Sequence, residues 1–518
     1  MGAKRTNSDA EPSSDAQGGS SDGAPSAAPD GTAADGDVSD GTASPSPGWP
    51  AAWELLLPTA AAPARGRGRA LQAALRDAVR SGRLAPGTQL PASRELAADL
   101  GVSRGLITDA YAQLTAEGYL SGRQGSGTWV TAAGTADAAA ATAPPPADDR
   151  GGPTDFRPGL PDLSFFPRAA WSAAHRRVLG RLPHRAFGYP DPRGLPELRE
   201  ALAELLARRR GVAAAPDQVM VCSGVAQAHT LLGMVLHARG ERAMAVEDPG
   251  SPEHTGLLGA VGLAAVPVPV DADGLCVPAL AATGVRSAVV TPCHQFPSGV
   301  AYSARRRALL TDWARTVGGL VVEDDYDGDF RYDRAPVGAL QGLAPGHVAY
   351  TGSVSKTLAP GLRLGWLVAP PDIVAEAARR KRTMDLGNPV TEQAALADFI
   401  TGGHYDRHLR RCQRLYRRRR DILTGALAEH FPGAAVTGIA AGLHAIVSLP
   451  PRYGPESRLL AAATSAGITL RPLSDYRHSP TPAAASRIDL VMGYAHLPPE
   501  AISRAVGLLA AAEAAAPR

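Results

Sequence analysis

Lysine is almost missing from this chain. Of 53 basic residues, only Lys4, Lys356 and Lys381 are lysines; the rest are arginines. Cysteine is scarce as well. Cys222, Cys276, Cys293 and Cys412 are widely spaced, with no CxxC pair and no metal-ligand cluster. This argues against a zinc site or a disulfide framework and predicts buried free thiols in a reducing compartment. No metal is expected. Long hydrophobic runs are absent: no stretch approaches 18 apolar residues, and no apolar signal core appears near the N-terminus. Membrane insertion and secretion are therefore not expected, and a cytoplasmic location is. Large net charge is lacking too. The formal charge is +3 over 518 residues, so any surface for a polyanion must be local.

What is present divides by composition. Residues 1–50 are Asp, Ser, Gly, Ala and Pro with almost no large apolar side chain. They cannot bury enough surface to offset their ordering entropy, which predicts a disordered acidic tail. Residues 131–153 are again low in complexity, rich in Ala, Pro and Asp, and read as a linker. Between tail and linker lies a small block, 51–130. After the linker, 154–518 is long enough for a large domain of its own.

The small block reads as a winged helix-turn-helix. RALQAALRDAVRSG (69–82) has apolar residues at helical spacing and stops at Gly82. Ser93 is placed to cap a helix carrying Leu96, Ala97 and Leu100 inward. Gly101 supplies a turn, and Ser103 is placed to cap a second helix with Ile107, Ala110, Tyr111 and Leu114 on its inner face. Ala97, Gly101 and Ile107 stand at the spacing that two crossing helices need: small at the contact, left-handed at the turn, apolar in the core. Ser103 and Arg104 then open the helix that enters the major groove of double-stranded DNA. Tyr119 to Val130 reads as a hairpin with a glycine-rich tip, a wing able to approach the phosphate backbone. Arg94, Ser103, Arg104, Arg123 and Gly125 are the candidate DNA contacts.

The large block alternates strand-like and helical stretches. QVMVCSG (218–224), ERAMAVEDP (241–249), LAAVPVPVD (263–271), RSAVVTPC (286–293), GGLVVEDDYD (318–327), HVAYTGS (347–353) and LRLGWLVAP (362–370) are the strand candidates. Seven such runs predict an α/β domain with a mostly parallel sheet, whose ligands bind beyond the carboxyl ends of the strands. Polar clusters fall at those ends. SGVAQAH (223–229) turns into a helix, so the backbone N–H groups of Val225 and Ala226 can face an anion. EDDYD adds carboxylates, and GSVSK adds two hydroxyls and the rare lysine, with Arg363 seven residues on. Ser353, Ser355, Arg363 and the helix start suit a phosphate. A desolvated Lys356 beside them would be a nucleophile for a carbonyl. A phosphate, an aldehyde and a ring nitrogen needing a carboxylate together describe pyridoxal 5′-phosphate (PLP). The bland reading of Lys356 is a solvated loop lysine.

The block 51–130 resembles the GntR family of winged-helix regulators, through LPASRELAADLGVSRGLITDAYAQLTAEGYL. Residues 154–510 resemble fold-type I aminotransferases. Together the two halves resemble the MocR-type regulators, through FRPGLPDLSFFP (156–167), GYPDPRGLPELREAL (188–202), TPCHQFPSG (291–299), EDDYDGDFRY (323–332) and GSVSKTLAPGLRLGW (352–366). The resemblance implies a fold-type I aminotransferase-like domain with a seven-stranded sheet, a small C-terminal α+β domain and a homodimer. It implies that Lys356 is the Schiff-base lysine, that Asp324 pairs with the ring nitrogen and that Tyr326 reaches the phenolic oxygen. It gives the phosphate to Ser353, Ser355, Arg363 and the backbone of Gly224, Val225 and Ala226, and a substrate or effector carboxylate to Arg487. Two positions depart from the catalytic pattern. Phe296 precedes Pro297 where catalytic aminotransferases have asparagine, which leaves His294 or Gln295 as replacements. Ser251 stands where many relatives have a stacking tyrosine, with His254 as a substitute.

Three functions follow. The first is a PLP-dependent transcriptional regulator that responds to PLP or an amino compound, in vitamin B6 or amino-compound metabolism. The second is an active aminotransferase with a DNA-binding head. The third is a DNA-binding regulator whose large domain only dimerises.

Overall fold

The computed structural model of the protein describes residues 62–123, 127–132, 154–332, 337–478 and 487–516. The expected acidic tail, the wing-tip residue Gly125 and all but the first two residues of the expected linker lie outside them. The chain divides into two units at residues 147 and 148.

In the first unit, helix α1 (Arg67–Arg80) buries Leu71, Leu75, Ala78 and Val79, a stripe at helical spacing. It ends before Gly82, whose φ of 73° only glycine adopts without strain. Strand β1 (Gln89–Leu90), helix α2 (Ser93–Asp99) and helix α3 (Arg104–Ala116) follow. The expected cap at Ser93 is corrected. Ala92 holds the capping position, Ser93 is already helical, and no side chain caps α2. Ser103 does cap α3: its Oγ accepts from the Leu106 N–H at 3.3 Å. Gly101 takes φ of 60° in the turn. Ala97 and Ile107 are buried with Leu71, Leu75, Leu96 and Leu114 in one core. Strands β2 (Leu120–Arg123) and β3 (Gly127–Val130) form the wing, antiparallel. β1 pairs with the other edge of β3, giving the order β1-β3-β2. Two residues are too few to show alternation, so β1 was not legible in the sequence.

The second unit begins with β4 (Thr154–Asp155), α4 (Arg168–Leu179) and α5 (Pro196–Arg210). The main sheet is then laid down as β5 (Val219–Cys222), α6 (Val225–Ala238), β6 (Ala243–Asp248), α7 (Pro252–Ala260) and β7 (Ala264–Asp271). It continues through β8 (Gly274–Leu275), α8 (Val277–Ala282), β9 (Ser287–Val290), α9 (Ala304–Val317), β10 (Leu320–Asp324), β11 (Val348–Ser353) and β12 (Gly365–Val368). The sheet has eight strands in the order β5-β12-β11-β10-β9-β6-β7-β8. The eighth, beyond the seven read from the sequence, is the two-residue edge strand β8. From β7 to β11 the pairing is parallel. β12 is antiparallel to both β11 and β5. Every residue of β5, β9, β10 and β12 is buried, as expected for strands covered on both faces.

Helices α10 (Pro371–Asp385), α11 (Val390–Thr401) and α12 (His404–His430) lead to the smaller part. It comprises β13 (Ala435–Thr437), β14 (His444–Leu449), α13 (Glu456–Ser465), β15 (Ile468–Thr469), β16 (Ile488–Gly493) and α14 (Pro499–Ala515). β13-β14-β16 is an antiparallel sheet. β15 pairs in parallel with β4, Ile468 with Thr154 and Thr469 with Asp155. The first strand of the unit therefore belongs to its last part, and the turn after it comes back over the carboxyl ends of the main sheet.

Candidate cofactor site and nucleic-acid interface

Two carboxylates, Glu323 and Asp324, close β10, and two more, Asp325 and Asp327, follow it. Glu323 is fully buried and accepts from the Leu340 and Gln341 N–H groups at 2.9 and 3.0 Å. Asp325 is held by Arg210 at 2.6 Å and by the Tyr350 hydroxyl at 2.6 Å. Asp327 accepts from His294 Nδ1 at 2.9 Å. These three are structural. Asp324 alone faces a cavity of about 360 Å³. Its Oδ2 lies 3.0 Å from His254 Nε2, while its Oδ1 is buried without a hydrogen-bond partner. Burial opposes its ionisation, but the His254 hydrogen bond and the charges of His229, His254 and Lys356 outweigh that and hold its carboxyl below the ordinary value. Conversely, His254 is discouraged from protonation by burial and more than compensated by Asp324, so its value is raised.

Lys356 lines the same cavity. It follows β11 on a loop, and its Nζ donates to the Gly159 carbonyl at 2.7 Å. Desolvation lowers its basicity, against the opposing pull of Glu253, Asp324 and Asp327. Tyr326 also lines it; its hydroxyl lies 3.1 Å from His294 Nδ1 and 3.0 Å from the His294 carbonyl.

Groups suited to an anion gather at neighbouring strand ends: Ser353, Ser355 and Arg363 at or on the β11–β12 connection that carries Lys356, and Gly224 at the start of α6. Gly224 precedes α6 with φ of 83°, so the N–H groups of Val225 and Ala226 open the helix without intrahelical partners. Arg363, itself at φ of 51°, donates from Nη2 to the Ser223 carbonyl. A Cβ added to Gly224 would sit 2.9 Å from that guanidinium, and one added to Gly365 would sit 2.8 Å from the Gly224 Cα. The two glycines let β12 and the helix start touch. Ser353 Oγ accepts from the Ser355 N–H at 3.3 Å. A helix N-terminus, a guanidinium and two hydroxyls thus share one end of the sheet.

Arg487 is not brought here. Its Nε donates to Ser448 Oγ at 2.8 Å and its Nη2 to the Ser448 and Gly433 carbonyls at 2.7 and 3.0 Å, on the small sheet. The arginines lining the cavity are Arg157 and Arg471. The β4–β15 register explains them, since each stands two residues beyond a paired strand residue, Asp155 and Thr469. Sequence reasoning missed both. Arg157 lay inside a quoted motif, FRPGLPDLSFFP, but nothing local tied it to Arg471.

Ser251 lines the cavity and offers no ring. Phe296 also lines it and packs edge-on against Tyr326, Tyr476 and His444 at 5.8, 5.3 and 5.3 Å. His294 is spent on Asp327 and Tyr326, and the Gln295 amide on the Pro249 carbonyl at 2.9 Å. Neither therefore stands in for the missing asparagine. Two triads, His229–His254–Asp324 and His294–Asp327–His444, bring potential ligand atoms within 4.8 Å of one another. Each contains a hydrogen-bonded histidine–aspartate pair.

In the first unit, Arg94, Ser103 and Arg104 are exposed, with Arg104 the first residue of the capped helix. Arg123 closes β2.

Residues 68–130 match the model for bacterial regulatory proteins of the gntR family, and residues 162–490 match aminotransferase class I and II. The chain is 33% identical over 465 residues to the probable rhizopine catabolism regulatory protein MocR of Rhizobium meliloti, covering 86% of this chain and 93% of that one. This chain belongs to the MocR-type GntR-family regulators. A further relative is the pyridoxine biosynthesis transcriptional regulator PdxR of Corynebacterium glutamicum, 33% identical over 407 residues, covering 78% of this chain and 87% of that one. Among solved structures, the kynurenine aminotransferase of Pyrococcus horikoshii, in complex with PMP, has a TM-score of 0.62 at 25% identity and covers 70% of this chain and 90% of its own. The chain is thus a helix-turn-helix transcriptional regulator with an aminotransferase-like domain. Among the described residues no helix is long and apolar enough to cross a membrane.

Proposed function

We propose that this regulator binds PLP through Lys356 and reads the cofactor, alone or with an amino compound, to set how it engages a double-stranded operator as a homodimer. The carrying observation is the cavity shared by a desolvated Lys356 and the unpartnered Oδ1 of Asp324. An ionised, buried carboxylate with one free oxygen suits the N–H of a pyridinium. The residues present fit the group: Lys356 would hold its aldehyde carbon, Asp324 its ring nitrogen, Tyr326 its phenolic oxygen. Gly224, Val225, Ala226, Ser353, Ser355 and Arg363 would hold its phosphate. When bound, PLP supplies an electron sink for amino compounds. An effector carboxylate would meet Arg157 and Arg471 rather than Arg487.

The departures favour sensing over turnover. Ser251 gives the ring no stacking partner, and Phe296 gives no hydrogen bond where catalytic relatives have asparagine. Hence the aminotransferase reading is the second one, and steady conversion of an amino donor with a keto acid would favour it. PLP alone is the first choice of effector, in line with the relative named for pyridoxine biosynthesis. The relative named for rhizopine catabolism fits the wider reading in which an amino compound is sensed.

Borohydride reduction of the purified protein followed by peptide mapping tests the cofactor assignment. The adduct is expected on Lys356; its absence, or its position elsewhere, rejects the assignment. Coupling is tested by titrating DNA carrying one or two half-sites, with and without PLP. Paired binding depends on the geometry that a dimer sets, so PLP should change two-site affinity more, by about 1–3 kcal/mol. Equal effects would place the switch inside each head.

A further inference from the structure

Helix α12 has two unlike faces. Tyr405, Leu409, Cys412, Tyr416 and Leu423 are buried in the core. The opposite face carries Arg407, Arg410, Arg411, Arg414, Arg417 and Arg418, all exposed. At 3.6 residues per turn these six fall within an arc of about 120° and span ~16 Å along the axis. No ion-pair partner binds any of them among the described residues. Arg407 bonds to the Gly402 carbonyl and His404, and Arg411 lies 4.9 Å above the Phe165 ring. Arginines nearby are treated differently: Arg177 and Arg181 pair with Asp398, Arg208 with Asp406, and Arg209 with Asp329 and Asp406. The acidic residues on α12 do not neutralise the stripe. Asp406 is taken by Arg208 and Arg209, Asp421 stands at the C-terminal end of the arc, and Glu429 lies two turns beyond.

Like charges four residues apart on a helix repel, and 407/411, 410/414 and 414/418 are three such pairs. A polyanion would relieve that repulsion. We propose that this face of the aminotransferase-like domain is a second duplex-DNA contact, gripping the phosphate backbone independently of the helix-turn-helix. Each strand of duplex DNA carries about one phosphate per 3.4 Å, so ~16 Å of helix spans about five phosphates of one strand, and guanidinium forks match phosphate geometry. The contact reads no bases; it adds affinity and orientation. A bilayer is the poorer occupant, because the apolar face that would enter it is already buried in the core. The reading above gives DNA to the head alone, so this contact goes beyond it and does not depend on PLP.

The test uses the full chain and a generic duplex of about 40 base pairs without an operator. Affinity is measured between 50 and 200 mM salt for wild type, for R410Q/R414Q/R417Q and for R410K/R414K/R417K. Each lost phosphate contact removes about 0.9 from the slope of log affinity against log salt. Over that range the wild type should therefore lose about 40-fold more affinity than the glutamine variant, and the lysine variant should behave like wild type. The same three are repeated on an R94A/R104A background, where overall affinity drops but the slope difference persists. Equal slopes for wild type and the glutamine variant overturn the proposal. So does loss of all duplex binding on the R94A/R104A background, or a wild type that binds no duplex at 50 mM salt. Matching thermal melts show that the glutamine variant folds. If co-sedimentation with anionic vesicles is lost in that variant while duplex binding is not, the occupant is a membrane and the proposal fails. The borohydride adduct on Lys356 is scored separately, so failure here and failure of the cofactor reading are told apart.

Discussion

Replacing Gly224 by alanine tests the anion cradle at its tightest point. Gly224 sits at φ 83° and ψ 175°, a region that only glycine populates freely. Forcing a side chain into it costs about 1–3 kcal/mol. The new Cβ would also lie 2.9, 3.0 and 3.1 Å from three guanidinium atoms of Arg363. That arginine can move, but only off the position from which it would meet a phosphate. A charged hydrogen bond lost there is worth about 1.5–3 kcal/mol, so PLP affinity should fall about 10- to 150-fold. Equilibrium dialysis followed by the cofactor's absorbance reads this directly. Gly259→Ala is the control, since a Cβ at that helical position meets nothing within 4 Å. If Gly224→Ala acts through Arg363, adding it to Arg363→Ala should cost little further affinity, because the two changes share one interaction. A Gly224→Ala protein that melts lower yet binds PLP as tightly as wild type would show that this cradle does not hold the phosphate.

Lys356→Ala should fold with an unchanged melt and lose the borohydride adduct; an adduct retained at full yield would place the cofactor on another lysine. Arg104→Ala should cost about 1–3 kcal/mol and relax preference at one base pair if the side chain reads guanine; unchanged operator affinity in a mobility-shift titration would remove Arg104 from the interface. Acid should destabilise the protein through two histidines buried in the neutral form. Desolvation, the leading cause, pulls His229 to about 4 and His444 to about 3 from an ordinary 6.5. Below pH 6.5 the unfolded chain binds these protons and the folded chain does not, so stability is present above 6.5 and is lost as pH falls toward 4 and 3. Urea midpoints of His444→Gln should decline less steeply than wild type between pH 6.5 and 3; an equal decline would mean that His444 does not stay neutral in the folded protein below pH 6.5.

How much of this was legible in the sequence depends on range. The apolar runs at 218–224, 286–293 and 318–327 gave their strands because each is buried on both faces, and burial shows as continuous hydrophobicity. The antiparallel course of β12 was not legible, because direction depends on where Arg363 and Gly365 turn, and not on the composition of the strand. Ser103 was read correctly as a cap, whereas Ser93 was displaced by one residue, a shift that local propensity cannot resolve. Lys356 and Asp324, which line one cavity, stood out in short motifs, as did Arg363. Arg487 misled, since it sits in a suggestive segment but points to the Ser448 and Gly433 carbonyls. Arg157 and Arg471 are 314 positions apart in the chain and come to line one cavity through the β4–β15 pairing. His229 and His254 likewise come from separate helices to lie 5.1 Å apart beside Asp324.

The close backbone approach of Gly224 and Gly365 constrains the start of α6, and neither glycine lines the cavity wall that carries Arg157 and Arg471. A Cβ at Gly365 would run into backbone, and one at Gly224 would sit on a left-handed φ of 83°, so side-chain exchange at these two positions is disfavoured. That wall is built from the turns after β4 and β15, which follow short, two-residue paired strands. New side chains at that wall change the shape of the cavity without touching Gly224, Gly365 or Arg363. On the proposed function, a lineage of such regulators would diversify in what it senses through that wall while the groups proposed to hold the cofactor phosphate stay fixed, and swapping the wall between relatives would re-address one.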